Sequence, residues 1–394
     1  MRTDVKQLYV KEEQSKRLVG IDLFRGVSAF AVVVIHASAV MLYSDIPTDQ
    51  WTESLVQLSR FAVPFFLAAS FYFMSNSLYV PKSSTSLRKN FNSKFMRLMV
   101  PYLCWTAIYS FSRAVKLSEV PNGLGKLFQD FIGLIFFGGA SIHLYFVPLL
   151  FSGSFLILPA GYLAKKKINV FTLLCFFIAS ILMYESLIVS GNSFEFGDNC
   201  LEKTNSCLVA FQSFQKMVFS DPNENQFLRF ILVQFSWLIQ CLPYVFLAMI
   251  FNHPSMRENI FKIGVQYVSA AFVLFLAFSS FSVLNLFSIM YFPKALYELG
   301  VATCLLFLAI TLSGYIKESR ILINLGTCSF GIYFVHYLVL IICEMVYSKL
   351  ALGTLGISPV IILFLFSIVG FGFSWGIASL LTTSKITSKL LLGA

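Results

Sequence analysis

Apolar residues in this chain run in stretches of about 20, the length that spans a bilayer core as a helix. They do not alternate with polar residues in the manner of the ~10-residue strands of a membrane barrel. Ten runs stand out: residues 18–43, 58–80, 98–117, 143–164, 169–190, 229–251, 264–283, 296–316, 323–347 and 358–381. The pattern predicts an all-α integral membrane protein of about ten transmembrane helices. A further apolar stretch, 127–142, precedes the fourth run and is expected to form a re-entrant or interfacial piece. The first 17 residues, MRTDVKQLYVKEEQSKR, are polar and mixed in charge. The run after them is too long for the apolar core of a signal peptide, so no cleaved leader is expected.

Composition agrees. The 394 residues are 57% hydrophobic and 12% charged, with a mean hydropathy of +0.78; a soluble domain carries about 25% charge. The net charge of +10 would suggest nucleic acid on a soluble protein. Here topology explains it, because Lys and Arg concentrate on cytoplasmic loops. With the N-terminus inside, about 19 basic residues fall on inner segments and about nine on the outer side. This predicts an N-in, C-in, multi-pass protein of the cell's inner (cytoplasmic) membrane and no nucleic-acid partner. The chain then divides into a cytoplasmic segment 1–17, one membrane domain 18–385 and a short cytoplasmic tail 386–394. The largest outer loop, 191–228, holds Cys200 and Cys207 in GDNCLEKTNSC. A disulfide and two free thiols both stay open there. The other cysteines read as small hydrophobes, and no Cys/His spacing points to a metal.

The chemistry begins in the first run, IDLFRGVSAFAVVVIHASAV. Ionisable groups are expensive in a bilayer and tend to be functional. Arg25 and His36 are eleven residues apart, which places them about 20° apart around a helix and roughly 16 Å apart along it. Asp22 precedes Arg25 by one turn, and an i, i+3 pair is expected between them. One stripe of this helix is therefore polar and must face protein or water. Further polar candidates are Glu344 and Glu185 within spans, and His253 in an inner loop.

The segment IDLFRGVSAFAVVVIH resembles the opening helix of the acyltransferase-3 family of membrane acyltransferases, whose signature is a basic residue, ten intervening residues and a histidine. Other stretches follow in the family's order. AVPFFLAASFYF is similar to a span with a central Ser-Gly-Phe, here Ala69-Ser70-Phe71. KFMRLMVPYL resembles a basic pair before Pro-Tyr, giving Lys94, Arg97, Pro101 and Tyr102. HLYFVPLL is similar to a His-Leu-Trp-Phe stretch, with His143 kept and Tyr145 in place of tryptophan. CSFGIYFVHYLVL resembles a late span with Ser329, Tyr333 and His336. The resemblance covers about residues 18–385.

It implies an O-acyltransferase, with acetyl-CoA or another acyl-CoA as donor and a hydroxyl of an extracytoplasmic carbohydrate or other envelope molecule as acceptor. His36 is expected as the general base, since imidazole titrates near neutrality. Arg25 is expected to be catalytic with His36 and, together with Lys94 and Arg97, to hold the donor's phosphates. Without the resemblance, Lys94 and Arg97 read as positive-inside anchors. Asp22, His143, Tyr145, Tyr333 and His336 are expected to line the cavity, with no metal involved. The expected partners are the bilayer, acyl-CoA and the carbohydrate, and a homo-oligomer stays open. The rival readings are a small-solute transporter and a non-catalytic acyl-CoA-binding membrane module.

Overall fold

A computed structural model describes residues 17–79, 92–118, 121, 123–196, 208–218, 225–284, 292–350 and 356–393. Cys200 and Cys207 lie outside the described residues. The helices are α1 (Val19–Tyr43), α2 (Gln50–Ser59), α3 (Ala62–Tyr79), α4 (Val100–Leu117), α5 (Gly123–Phe128), α6 (Phe131–Phe136), α7 (Phe146–Gly153), α8 (Ile157–Lys165), α9 (Val170–Val189), α10 (Gln212–Val218), α11 (Gln226–Asn252), α12 (Pro254–Ile263), α13 (Val268–Val283), α14 (Lys294–Leu312), α15 (Arg320–Lys349) and α16 (Pro359–Leu381). The extended pairing among the described residues is one antiparallel pair, β1 (Glu195–Phe196) with β2 (Leu208–Val209).

Each predicted apolar run is helical, but not every one has the character of a span. Among the described residues, eight stretches are long and apolar enough to cross a membrane. Two of them join consecutive helices, α2 with α3 and α7 with α8. The remaining two predicted spans correspond to α4, which carries Arg113 and Lys116, and α13, which has only 16 residues. The protein is an all-α, multi-pass membrane protein.

Helix starts follow local chemistry. The side chains of Asp49, Asn169, Asn225 and Ser319 accept hydrogen bonds from the main-chain N–H three residues on, at 2.8, 2.8, 3.0 and 3.2 Å, and satisfy donors the helix leaves open. α1, α14 and α15 bury most of their surface and form the centre, whereas α9 and α16 expose apolar flanks as a lipid-facing helix does. α1 packs on α15 more extensively than any other helix pair. That approach needs Gly326, where an added Cβ would stand 2.2–2.5 Å from the side chain of Asp22. Small residues bring membrane helices together because no hydrophobic force does so in lipid.

The stretch 127–142 does not cross. It forms α6 and a tight turn, both held by polar contacts. Asp130 caps α6 through Gly133 N–H at 2.8 Å, and its carboxylate receives Arg229 Nη1 and Nη2 at 3.0 and 2.8 Å. Arg229 also donates to Leu208 O from Nε and Nη2, at 3.1 and 2.9 Å, and covers the Phe137 ring. This pair is buried, so each charge depends on the other. Arg229→Met should cost about 3–5 kcal/mol, the penalty for leaving one buried charge alone. The double variant Asp130→Leu/Arg229→Met should recover much of that loss. Thermal unfolding in detergent of both single variants and the double measures this, and a double-variant loss equal to the sum of the single losses would show that the pair is not coupled.

Candidate functional site

Three of the chain's four histidines meet in the interior. His36 comes from α1, His143 from the turn before α7, and His336 from α15. Their ring centroids are 5.8 Å apart for His36–His143, 5.2 Å for His36–His336 and 4.8 Å for His143–His336. Tyr109, Tyr333 and Tyr337 surround His143, with centroids at 5.0, 5.4 and 5.5 Å. Among the described residues, His36 Nδ1, His143 Nε2 and His336 Nε2 are buried without a hydrogen-bond partner. Interior polar atoms are nearly always paired, so three orphans on adjacent rings make this cluster the candidate site.

The turn carrying His143 is tightly specified. Gly138 N–H donates to Tyr102 Oη at 3.0 Å, and Tyr102 Oη donates to Ile135 O at 2.7 Å. Arg113 Nη1 donates to Gly139 O at 2.6 Å, and Tyr333 Oη donates to His143 O. Ser141 Oγ and His143 Nδ1 lie 3.0 Å apart. Tyr109 Oη donates to Phe334 O at 2.7 Å and ties α4 to α15 behind the ring of His143. His336 Nδ1 lies 3.1 Å from Ile332 O, one turn earlier in its own helix, which supports protonation at Nδ1 and leaves Nε2 bare.

A cavity of about 490 Å³ adjoins this cluster. Tyr43, Tyr109, Arg113, Ser141, Tyr337 and Glu344 are among its walls. Its size falls within the ~300–1,000 Å³ of small-ligand sites. Tyr109 and Tyr337 belong both to this wall and to the aromatic ring around His143, so these two side chains separate the cavity from the histidines.

The basic candidates gather at the opposite end of α1. Arg25 is half-buried, and the charges that act on it are those of Asp22, Arg97 and Arg17. Lys94 Nζ donates to Ser154 O at 3.1 Å, at the joint between α7 and α8. The Arg97 side chain is exposed, while its main-chain carbonyl packs on Gly393 near the chain's end.

Two expectations change. Asp22 does not pair with Arg25: its carboxylate takes Arg17 Nε at 2.5 Å, and Arg17 also reaches Thr327 Oγ1 at 3.1 Å. The side chain of Asp22 lies against Gly326 on α15, so its partner comes from residues before α1 that can reach the same seam. Tyr145 stacks on Phe194, with centroids at 5.8 Å, and like Asp22, His143, Tyr333 and His336 it is not on the cavity wall. His253 sits at the end of α11 with Nδ1 2.8 Å from Ser255 Oγ, far from the cluster in role. Glu185 accepts the Ala295 N–H at 2.7 Å and anchors the start of α14. Glu344 accepts from Ser348 Oγ at 3.0 Å and faces the cavity.

Sequence reasoning missed Ser141, Tyr109, Tyr337 and the Asp130–Arg229 pair. It also missed Glu298, an interior carboxylate that receives Tyr184 Oη at 3.2 Å. A scan for every charge inside an apolar run would have found Glu298. Nothing in the sequence pattern marks Tyr109. No group of three or more His, Cys, Asp or Glu side chains among the described residues is placed to hold a metal ion.

Gly138 offers a test of the turn. Its φ is +79°, and an added Cβ would lie 2.3 Å from Tyr145 N. Gly138→Ala should therefore cost more than the ~1–3 kcal/mol of left-handed strain alone. Gly356→Ala is the control, because φ is +63° there with nothing within 4 Å of the new Cβ. The expected result is a clearly lower unfolding midpoint for Gly138→Ala than for Gly356→Ala; equal midpoints would mean that the turn relaxes freely.

A family model described as an acyltransferase domain matches residues 18–379. No curated protein and no solved structure matches the chain.

Proposed function

The chain belongs to this acyltransferase family, and we propose that it transfers an acyl group, acetyl from acetyl-CoA, across the cytoplasmic membrane to a hydroxyl of an extracytoplasmic carbohydrate. The observation that carries this reading is the convergence of His36, His143 and His336 beside a cavity of about 490 Å³, within a membrane-embedded acyltransferase domain.

The two ends of α1 suit the two substrates. Arg25 lies near Arg97 at one end, and His36 lies about 16 Å further along the helix, beside the cavity. The excess of Lys and Arg on that first end favours the cytoplasm for it, by the positive-inside rule. Acyl-CoA is available there, and guanidinium and ammonium groups make charge-assisted bonds to its phosphates. An extended pantetheine arm spans a distance of this order and carries the thioester toward the histidines. The acceptor then enters through the cavity from the other side. In this scheme His36 takes the proton of the attacking hydroxyl as general base. His336 Nε2 and His143 Nε2 stand on the adjoining rings, where they can receive or return that proton. Water exclusion by the surrounding tyrosines and phenylalanines protects the acyl group from hydrolysis.

The test is a reconstituted assay with acetyl-CoA and a mixture of cell-envelope glycans, reading thiol release and acetylated product together. His36→Ala, checked for monodispersity, should lower transfer by roughly 10²–10⁴, the usual contribution of a general base. Near-normal transfer would remove His36 from the chemistry.

Neutralising Arg25, Lys94 or Arg97 should raise the KM for acetyl-CoA about 10- to 150-fold, the worth of one hydrogen bond to a charged group. The KM for the acceptor should stay nearly unchanged. If Arg97→Lys behaves like Arg97→Ala, the planar fork matters and not the charge alone. Variants that bind acetyl-CoA normally but lose the acceptor would reverse the assignment.

A further inference from the structure

We infer that Ser141 is the nucleophile of a two-step transfer: the acyl group passes from the donor to Ser141 Oγ, with His143 as its base, and from there to the acceptor. The inference rests on the acyl-thioester reading above and deepens it by adding a covalent intermediate.

Ser141 combines several features that a nucleophile needs. Its hydroxyl is 3.0 Å from His143 Nδ1, within reach for direct proton transfer. It lines the 490 Å³ cavity, so a substrate carbonyl can approach it. His36 lacks such a partner: among the described residues its ring makes no hydrogen bond to a hydroxyl, and its neighbours are the rings of His143, His336 and Tyr337. The next residue, Ile142, also lines the cavity. Its main-chain N–H donates no hydrogen bond within the described residues, and neither does that of Ala140. The N–H that follows a nucleophilic serine is a common oxyanion donor, because it adjoins the carbonyl under attack. An amide left open beside a hydroxyl–imidazole pair, in a cavity wall, is the arrangement that role requires.

Rigidity supports the assignment. Gly139 N–H donates to Gly133 O at 2.9 Å, Ser141 N–H to Gly138 O at 3.3 Å and Leu144 N–H to Ser141 O at 3.0 Å. Together with the bonds from Tyr102, Arg113 and Tyr333, these hold a non-helical turn in one shape. Catalytic groups need such support to stay in productive geometry.

The steps balance. With Nδ1 of His143 bare, the Ser141 proton moves to it as Oγ bonds to the thioester carbonyl carbon. The tetrahedral oxyanion sits at the Ile142 N–H. The carbon–sulfur bond then breaks, and the departing thiolate takes the proton from His143, leaving free thiol and an acyl-serine ester. In the second step an acceptor hydroxyl attacks that ester and its proton goes to the imidazoles of His36 and His143. Ser141 Oγ leaves and recovers a proton from them. Nothing is oxidised or reduced, and no further reactant is consumed.

The experiment uses the full chain in nanodiscs with radiolabelled acetyl-CoA. Without acceptor, acid quenching and peptide mass spectrometry should find an acetyl group on the Ser141 peptide, with about one thiol released per protein in a fast first phase. Addition of acceptor glycan should discharge the label into product. Ser141→Ala should carry no label and lose at least 100-fold in transfer, the scale expected for a lost catalytic group. Ser141→Cys should trap a thioester that neutral hydroxylamine cleaves, which tests the position even if Ser141→Ala folds poorly. Wild-type turnover with no label under any quench would overturn the acyl-serine while leaving the acyltransferase reading intact. Normal transfer by Ser141→Ala would do the same, and would reduce Ser141 to a residue that orients His143. Absence of any thiol release with acetyl-CoA and the glycans would overturn both readings together.

Discussion

The contact between α1 and α15 is the constraint on which the histidine cluster depends. Gly326 lets α15 lie directly against the side chain of Asp22 near the start of α1. The two helices run parallel from there, so one close contact sets the register of everything beyond it. His36 follows Asp22 by about 21 Å of helix rise and His336 follows Gly326 by about 15 Å. Their rings meet at 5.2 Å, and the helices stay packed on each other. Arg17 reinforces the same seam from outside the helix, pairing with Asp22 and reaching Thr327. The pair joins a residue before the first span to the start of α15, so it acts as a clamp on this register.

The second constraint is that lipid offers no hydrogen bonds. Non-helical backbone is tolerated at membrane depth only where protein satisfies it. The turn at residues 137–145 is held by side chains from two helices, Tyr102 and Arg113 of α4 and Tyr333 of α15. The benefit is chemical. A helix would have used the amides of Ala140 and Ile142 internally; in this turn they have no partner among the described residues, in the cavity wall. The same irregularity that costs satisfaction elsewhere provides donors where a developing oxyanion can use them.

Charge is distributed along the axis of α1 in a way that separates two tasks. Arg25 and Arg97 lie close enough for their charges to act on each other. The histidine end brings together imidazoles, phenols and a hydroxyl, which exchange protons, with Arg113, Lys116 and Glu344 on the adjoining cavity wall. Arg25 and His36 thus stand about three helical turns apart on one helix.

The sequence by itself determined the class of fold, the number of apolar helices to within the two that are too short or too polar to qualify, and the polar stripe of α1. Hydrophobic periodicity and spacing are local, so Arg25 and His36 could be placed on one helix face without any structure. His143 and His336 were legible as candidates through short motifs. Their meeting was not, because it depends on contacts between residues such as Tyr333 and His143 that lie 190 positions apart. The true partner of Asp22 was hidden for the same reason: spacing offered Arg25, but packing turned the carboxylate toward Gly326 and Arg17. Ser141 looked like one serine among many until the turn was folded. Only tertiary structure decides which hydroxyl meets which imidazole, since helix register and loop shape in a membrane protein are set by close packing and by the need to satisfy each buried polar group.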